Sequence, residues 1–362
     1  MKKRIAVLIL SVLMAASVLG GCSGKVDTSK YATTAFATIG GEKLYMDELN
    51  YYLRTNQYMY EQWGYLEYMG AEKWDDEISY YNLWTEIPGE SLKQNAVTTV
   101  RQAYIMSKEA EKAGINLTAE EQAKVEEAVD KFLNESDVEL LAAVNISKER
   151  LTEIYTRNAL ANKMYAQCTA DVDTTVSDEE ACQYDVSYVY ISASKLESAE
   201  NLEEGATPET VANAVVEAIN SGKTFEEALE AYGDALTATS ATMGDGDNSG
   251  TYGPTAEGLE VGKAGSVAYG SDGAYYVVVR DSDYNEEATE EEKVAMAEDI
   301  IAEAFAAVYA EWEADYSFDP DYDKIDSIVV SETIYVAPET EEETTAGEAE
   351  SETSAEETTA AN

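Results

Sequence analysis

The sequence predicts an α+β protein with two folded parts, one mostly helical and one built on a sheet, and three patterns predict it. Apolar residues recur at helical spacing from Met46 to about Cys168, punctuated by capping residues. From Asp185 the texture changes to alternation in "DVSYVYISAS". A long helical pattern returns at "TEEEKVAMAEDIIAEAFAAVYAEWEADY". Along the whole chain the boundaries are read as 1–21, 22–34, 35–170, 183–284, 286–336 and 337–362: a leader, a spacer, the helical module, the sheet module, a further helix and strand, and a tail.

The elements follow from local chemistry. "AFATIGGEKLYMDELNYYLRTNQYMYEQW" reads as a strand, a tight turn at Gly40-Gly41 and a helix starting near Met46 or Asp47. A loop rich in Tyr and Trp comes next. "ESLKQNAVTTVRQAYIMSKEAEKAG" is a helix that Gly114 should close. Thr118 and Glu121 fit a capping box for the helix after it, and Ser147 should cap the next. In the sheet module, Val186, Tyr188 and Tyr190 share one face of a strand, with Ser187, Val189 and Ile191 on the other. Thr207 before Pro208 opens a helix, and Thr224 with Glu227 opens a shorter one. A Gly-rich stretch then leads through "LEVGKAGSVAYG" into the β-rich "GAYYVVVR", giving the order β-α-α-loop-β. The last long helix reads as amphipathic. "DKIDSIVVSETIYV" is expected to return as a strand.

Composition excludes several functions. The formal charge is -48, so nucleic acid is not an expected partner. The chain has no histidine, which removes Ser-His-Asp and Cys-His catalysis in their usual form and every His-ligated metal site. Cys168 and Cys182 make a poor zinc site, and a disulfide between them stays open. "DGDNSG" begins like a calcium loop from Asp245, but Ala256 stands where a bidentate Glu is needed, so it reads as a solvated turn. No metal and no cofactor are expected. The tail from Pro338 has nine glutamates and no basic residue, and is expected to be disordered.

Lys2, Lys3 and Arg4 precede an apolar run too short for a typical span, the anatomy of an export signal. "LGGC" resembles the lipobox of bacterial lipoproteins, which implies lipidation of Cys22 and an extracytoplasmic chain held at the outer face of the cytoplasmic membrane. "AFATIGGEKLYMDELNYYL" and "YIMSKEAEKAGINLTAEEQAKV" are similar to the opening of the SurA/PrsA-type extracytoplasmic foldases. "YDVSYVYIS", "INSGKTFEEALEAYGD", "LEVGKAGSV" and "GAYYVVVR" resemble, in order, the segments of a parvulin (rotamase) domain. The resemblance implies a mostly helical SurA N-terminal-like chaperone module with an inserted or following parvulin-like α/β domain, the chain's end returning to the chaperone module.

Carried over residue by residue, the resemblance puts the first-strand histidine at Tyr188 and the last-strand one at Tyr275 or Tyr276. Alternation that leaves Arg280 outward favours Tyr275. The Cys or Asp after the small helix falls near Ala235, beside Asp234. The parvulin domain is thus expected to be weak or inactive. Between Tyr45 and Trp84 lie nine tyrosines and three of the four tryptophans, and Tyr65, Tyr68, Tyr80, Tyr81 and Trp84 are the expected client contacts, with core packing the alternative. Expected partners are unfolded or partly folded secreted proteins and, through the lipid, the membrane; a homodimer is allowed. The rival readings are an active peptidyl-prolyl isomerase with a tyrosine-based site and a structural or solute-binding lipoprotein.

Overall fold

The computed structural model describes residues 28–80, 84–199, 202–245, 251–270 and 273–337. The leader, Cys22, Tyr81, most of "DGDNSG" and the acidic tail lie outside them. The described residues form two units. One takes in the chain up to Tyr165 together with the stretch from Glu311, and the other is Ala166–Ala310.

Strands β1 (Ala35–Ile39) and β2 (Glu42–Tyr45) pair antiparallel across Gly40 and Gly41, whose φ angles of 55° and 87° belong to the left-handed region. Helix α1 (Met46–Gln62) follows without a break. Asp47 and Glu48 favour its N-terminus, yet Glu48 is fully buried. Arg150 and Arg157 pair with it, and Arg150 also reaches Asp47 at 3.3 Å. The region expected to be a loop instead holds a short helix, α2 (Tyr65–Met69), and a hairpin of β3 (Ile78–Tyr80) and β4 (Trp84–Glu86). These elements are too short for a helical or strand period to show in the sequence. Four helices complete the run: α3 (Pro88–Lys112), α4 (Ala119–Glu135), α5 (Val138–Val144) and α6 (Lys148–Thr169). The Thr118–Glu121 capping box forms in full, and Ser147 accepts the Arg150 amide at 3.2 Å.

The second unit begins with β5 (Gln183–Ile191), followed by α7 (Ala193–Leu196), α8 (Pro208–Asn220) and α9 (Phe225–Leu229). Then come β6 (Thr239–Gly244), α10 (Gly253–Glu257), β7 (Ala264–Tyr269) and β8 (Ala274–Arg280). The four strands make one antiparallel sheet in the order β6-β5-β8-β7. Strand β6 escapes the sequence pattern because "TSATMG" sits at the sheet edge and buries only Met243. Val189, Ile191, Val277 and Val279 pack under α8 and α9, while Tyr184, Val186, Met243 and Val278 pack with α10 on the other face. Covering both faces explains why "AYYVVVR" is nearly continuously apolar.

Helix α11 (Glu286–Asp315) buries only Thr289 and Phe305. It is not the amphipathic helix the sequence suggested, because its alanines and glutamates are spread around the whole circumference. The returning strand is β9 (Phe318–Pro320), paired with β1 through Ile39 and Phe318. Helix α12 (Tyr322–Asp326) then leads into an irregular segment where a strand was expected. No sheet edge is used there. Side chains of α1 satisfy the backbone instead: Arg54 donates to the Val329 carbonyl at 2.7 Å and Gln57 to that of Glu332 at 3.0 Å. The amides of Ile334 and Tyr335 donate to the Glu61 carboxylate at 2.8 and 2.7 Å. Cys168 and Cys182 are not joined by a disulfide. No helix of the described residues is long and apolar enough to cross a membrane.

Candidate functional site

Aromatic residues singled out in the sequence fall in two clusters, one in each unit. In the sheet unit, the period of two places Tyr188 and Tyr190 of β5 beside Tyr276 of β8, because Tyr190 is directly opposite Tyr276 in the ladder. Tyr252, at the start of α10, lies 4.6 Å from Tyr188, stacked at 22°, and 5.1 Å from Tyr276. Tyr269 of β7 stands 5.3 Å from Tyr276 and 5.8 Å from Tyr190. Four tyrosines thus gather around Tyr276. Gly265 lets α10 come this close, since a Cβ there would lie 2.7 Å from the Thr255 methyl.

Burial raises the Tyr276 phenol above its ordinary value, and the neighbouring phenols add to the effect. It therefore stays protonated at neutral pH. The cluster offers ring faces and hydroxyls that donate and accept. It can hold and hydrogen-bond a chain.

The three positions carried over by resemblance are not brought together. Tyr275 stands opposite Ile191 and packs with the core beneath α8, on the face away from Tyr188. Burial raises its phenol, with the Glu209 carboxylate contributing. The alternation that favours Tyr275 needs Arg280 to point outward from the sheet unit. Instead Arg280 lies on the Tyr188 face, its guanidinium 4.0 Å over the Tyr184 ring and its Nε 3.0 Å from Asp283. A long cationic side chain can cover an aromatic surface and still reach a carboxylate. Tyr276 is the residue the fold sets beside Tyr188. Asp234 is exposed, on the wall of a cleft of about 510 Å³ shared with Glu226, Glu227 and Glu230. Its neighbours Tyr232 and Leu236 belong to the core under α8 and α9.

In the helical unit the aromatic segment is partly structural. Trp74 is fully buried and donates its indole N–H to Glu61 at 2.6 Å. Tyr65 stacks on Trp74 at 6.1 Å, Tyr60 lies 5.0 Å from Tyr65, and Trp63 lies 6.1 Å from Tyr60. Burial raises the Glu61 carboxyl above the usual range, and donors from Tyr335, Trp74, Gln57 and Ile334 act against that shift. The row therefore ends in a buried anchor at Trp74 and an open ring at Trp63, which is 66% exposed. Tyr68, one turn after Tyr65, is 87% exposed, and Trp84 on the hairpin is 58% exposed. Tyr65 is half-buried. Tyr80 belongs to β3. Trp63 was not singled out from the sequence because it continues a helical run; Gly64, left-handed at φ 67°, is the signal that the helix face ends there.

No protein-family model matches this chain, and no curated protein matches it. Among solved structures it is similar to a SurA-like chaperone of Campylobacter jejuni, at 12% identity over 80% of this chain and 99% of that one, with a TM-score of 0.28. It is also similar to the peptidylprolyl isomerase PrsA of Bacillus cereus, at 16% identity over 72% and 96% of the two chains, TM-score 0.31. The foldase protein PrsA of Lactococcus lactis is a third, at 16% identity over 78% and 93%, TM-score 0.27.

Proposed function

We propose that this chain is a membrane-anchored extracytoplasmic chaperone that binds non-native secreted proteins, tethered by lipid on Cys22. In this reading 35–170 and 286–336 form the chaperone module, and 183–284 is a parvulin-like domain with little or no isomerase activity. The observation that carries it is the exposure of Trp63 at the open end of a packed aromatic row, and of Tyr68 one turn after Tyr65. Large exposed rings cost apolar surface in water and offer contact area with few rotatable bonds, the properties a surface for unfolded segments needs. The test is aggregation of a chemically unfolded secreted protein on dilution, with and without the purified chain. Suppression at near-stoichiometric ratios is expected. A chain that neither suppresses aggregation nor binds unfolded polypeptide ends this reading.

A second reading, an isomerase with a tyrosine-based site, is favoured by the gathering of Tyr188, Tyr252 and Tyr276 on one sheet face. Twisting an X-Pro bond needs no acid or base, only preferential binding of the twisted form. Acceleration of a proline-limited refolding reaction, lost in Tyr188→Phe and Tyr276→Phe, supports it. No acceleration by the unaltered chain removes it.

A further inference from the structure

We infer that the exposed aromatic segment of the helical unit selects cationic clients: non-native segments in which Lys or Arg is interspersed with apolar side chains. The inference rests on the chaperone reading and names the chemistry of its client.

The chain has few basic residues, 24 Lys and Arg against 72 Asp and Glu. Most of the cations that reach a ring serve another part of the fold as well. Arg101 lies over Phe318, Lys108 and Arg157 over Tyr104, Lys112 over Tyr316, Arg150 over Tyr45, Lys195 over Tyr190 and Arg280 over Tyr184. Among the described residues none of these cation-ring pairs involves Trp63 or Tyr68. Yet an indole is the best ring for holding a cation. From Tyr60 to Glu86 the sequence has seven carboxylates and a single basic residue, Lys73. Lys73 is bound to Glu332 at 2.7 Å. Glu67, Glu72, Asp75 and Glu77 are exposed.

The segment therefore combines open rings with exposed negative charge. An acidic or neutral apolar segment gains only the ring contact and, if acidic, meets repulsion. A segment carrying Lys or Arg gains charge complementarity and the ring face together. The whole chain's charge of -48 acts in the same direction, speeding encounter with cationic segments at low salt.

The experiment uses the full chain and two fluorescently labelled, unstructured peptides of identical apolar sequence, one with four interspersed lysines and one with four glutamates. Binding is read by anisotropy at low and high salt. The lysine peptide is expected to bind about tenfold tighter or more at low salt, with the gap narrowing as salt rises. Trp63→Leu, which keeps apolar volume and removes the ring, is expected to weaken the lysine peptide about threefold, while Trp63→Phe restores part of the loss. Trp63 is exposed, and an unchanged thermal unfolding midpoint shows that the variant is folded. Equal binding of the two peptides, or equal affinity of the Leu variant and the original chain for the lysine peptide, overturns the inference and leaves the chaperone reading standing. Binding of neither peptide overturns both.

Discussion

Asp185 shows how much a single side chain can organise. Its carboxylate accepts from Asn285 at 2.8 Å, Thr242 at 3.0 Å and Ser282 at 3.1 Å, tying β5 to β6 and to the turn after β8. Those donors, Asn285 foremost, hold its carboxyl below the usual range. A carboxyl depressed in the fold adds stability above its unfolded pKa of about 4 and loses it as pH falls through the lower folded value. Asp185→Ala should destabilise the sheet unit by about 1–2 kcal/mol near neutral pH, where charge-assisted hydrogen bonds are intact. The deficit should shrink below about pH 4. Urea unfolding of both chains across that range checks the size and the sign. The alternation of "DVSYVYISAS" puts Tyr188 on the face it occupies, whereas the choice between Tyr275 and Tyr276 turns on Arg280, and nothing local announces that Arg280 lies over Tyr184.

At the level of elements, the caps were the most legible feature. The Thr118–Glu121 and Thr224–Glu227 boxes form as the sequence suggested, and Gly114 closes α3 with φ 73°. What a cap cannot reveal is how closely two elements approach. Gly89, in the first turn of α3, is buried where a Cβ would lie 2.9 Å from the Trp74 carbonyl and 3.0 Å from that of Val330. Both are backbone atoms, and the Gly89 amide donates to the same Trp74 carbonyl at 2.7 Å. Gly89→Ala should therefore force the C-terminal segment off α3 and cost about 1–3 kcal/mol. A lowered denaturation midpoint for the helical unit, with the sheet unit unchanged, is the expected result. The sequence offered no hint of this contact, because Val330 stands 241 positions away and its approach depends on β9 reaching β1.

For the molecule as a whole, the last described residues, from Glu311, belong with the first described ones. β9 completes the sheet of β1 and β2, and the segment after α12 satisfies Glu61, Arg54 and Gln57 of α1. Ending the chain after Asp315 removes a strand, the buried Ile325, Ile328 and Ile334, and the partners of three buried or half-buried polar groups. That change is expected to unfold the helical unit while the sheet unit, which holds its own two cores, keeps a separate thermal transition. Calorimetry in which both transitions are lost, or both are retained, would contradict that expectation. By itself the sequence determined the α+β class, the order of most elements, the helix ends and the lack of any histidine-based chemistry, since these depend on periodicity, caps and composition within a few residues. Only the tertiary structure decided which tyrosines share a face, that "TSATMG" pairs as an edge strand, and that Trp63 stays open while Trp74 is buried. Those outcomes depend on strand register and on close approach between residues far apart in the chain, which no local pattern encodes.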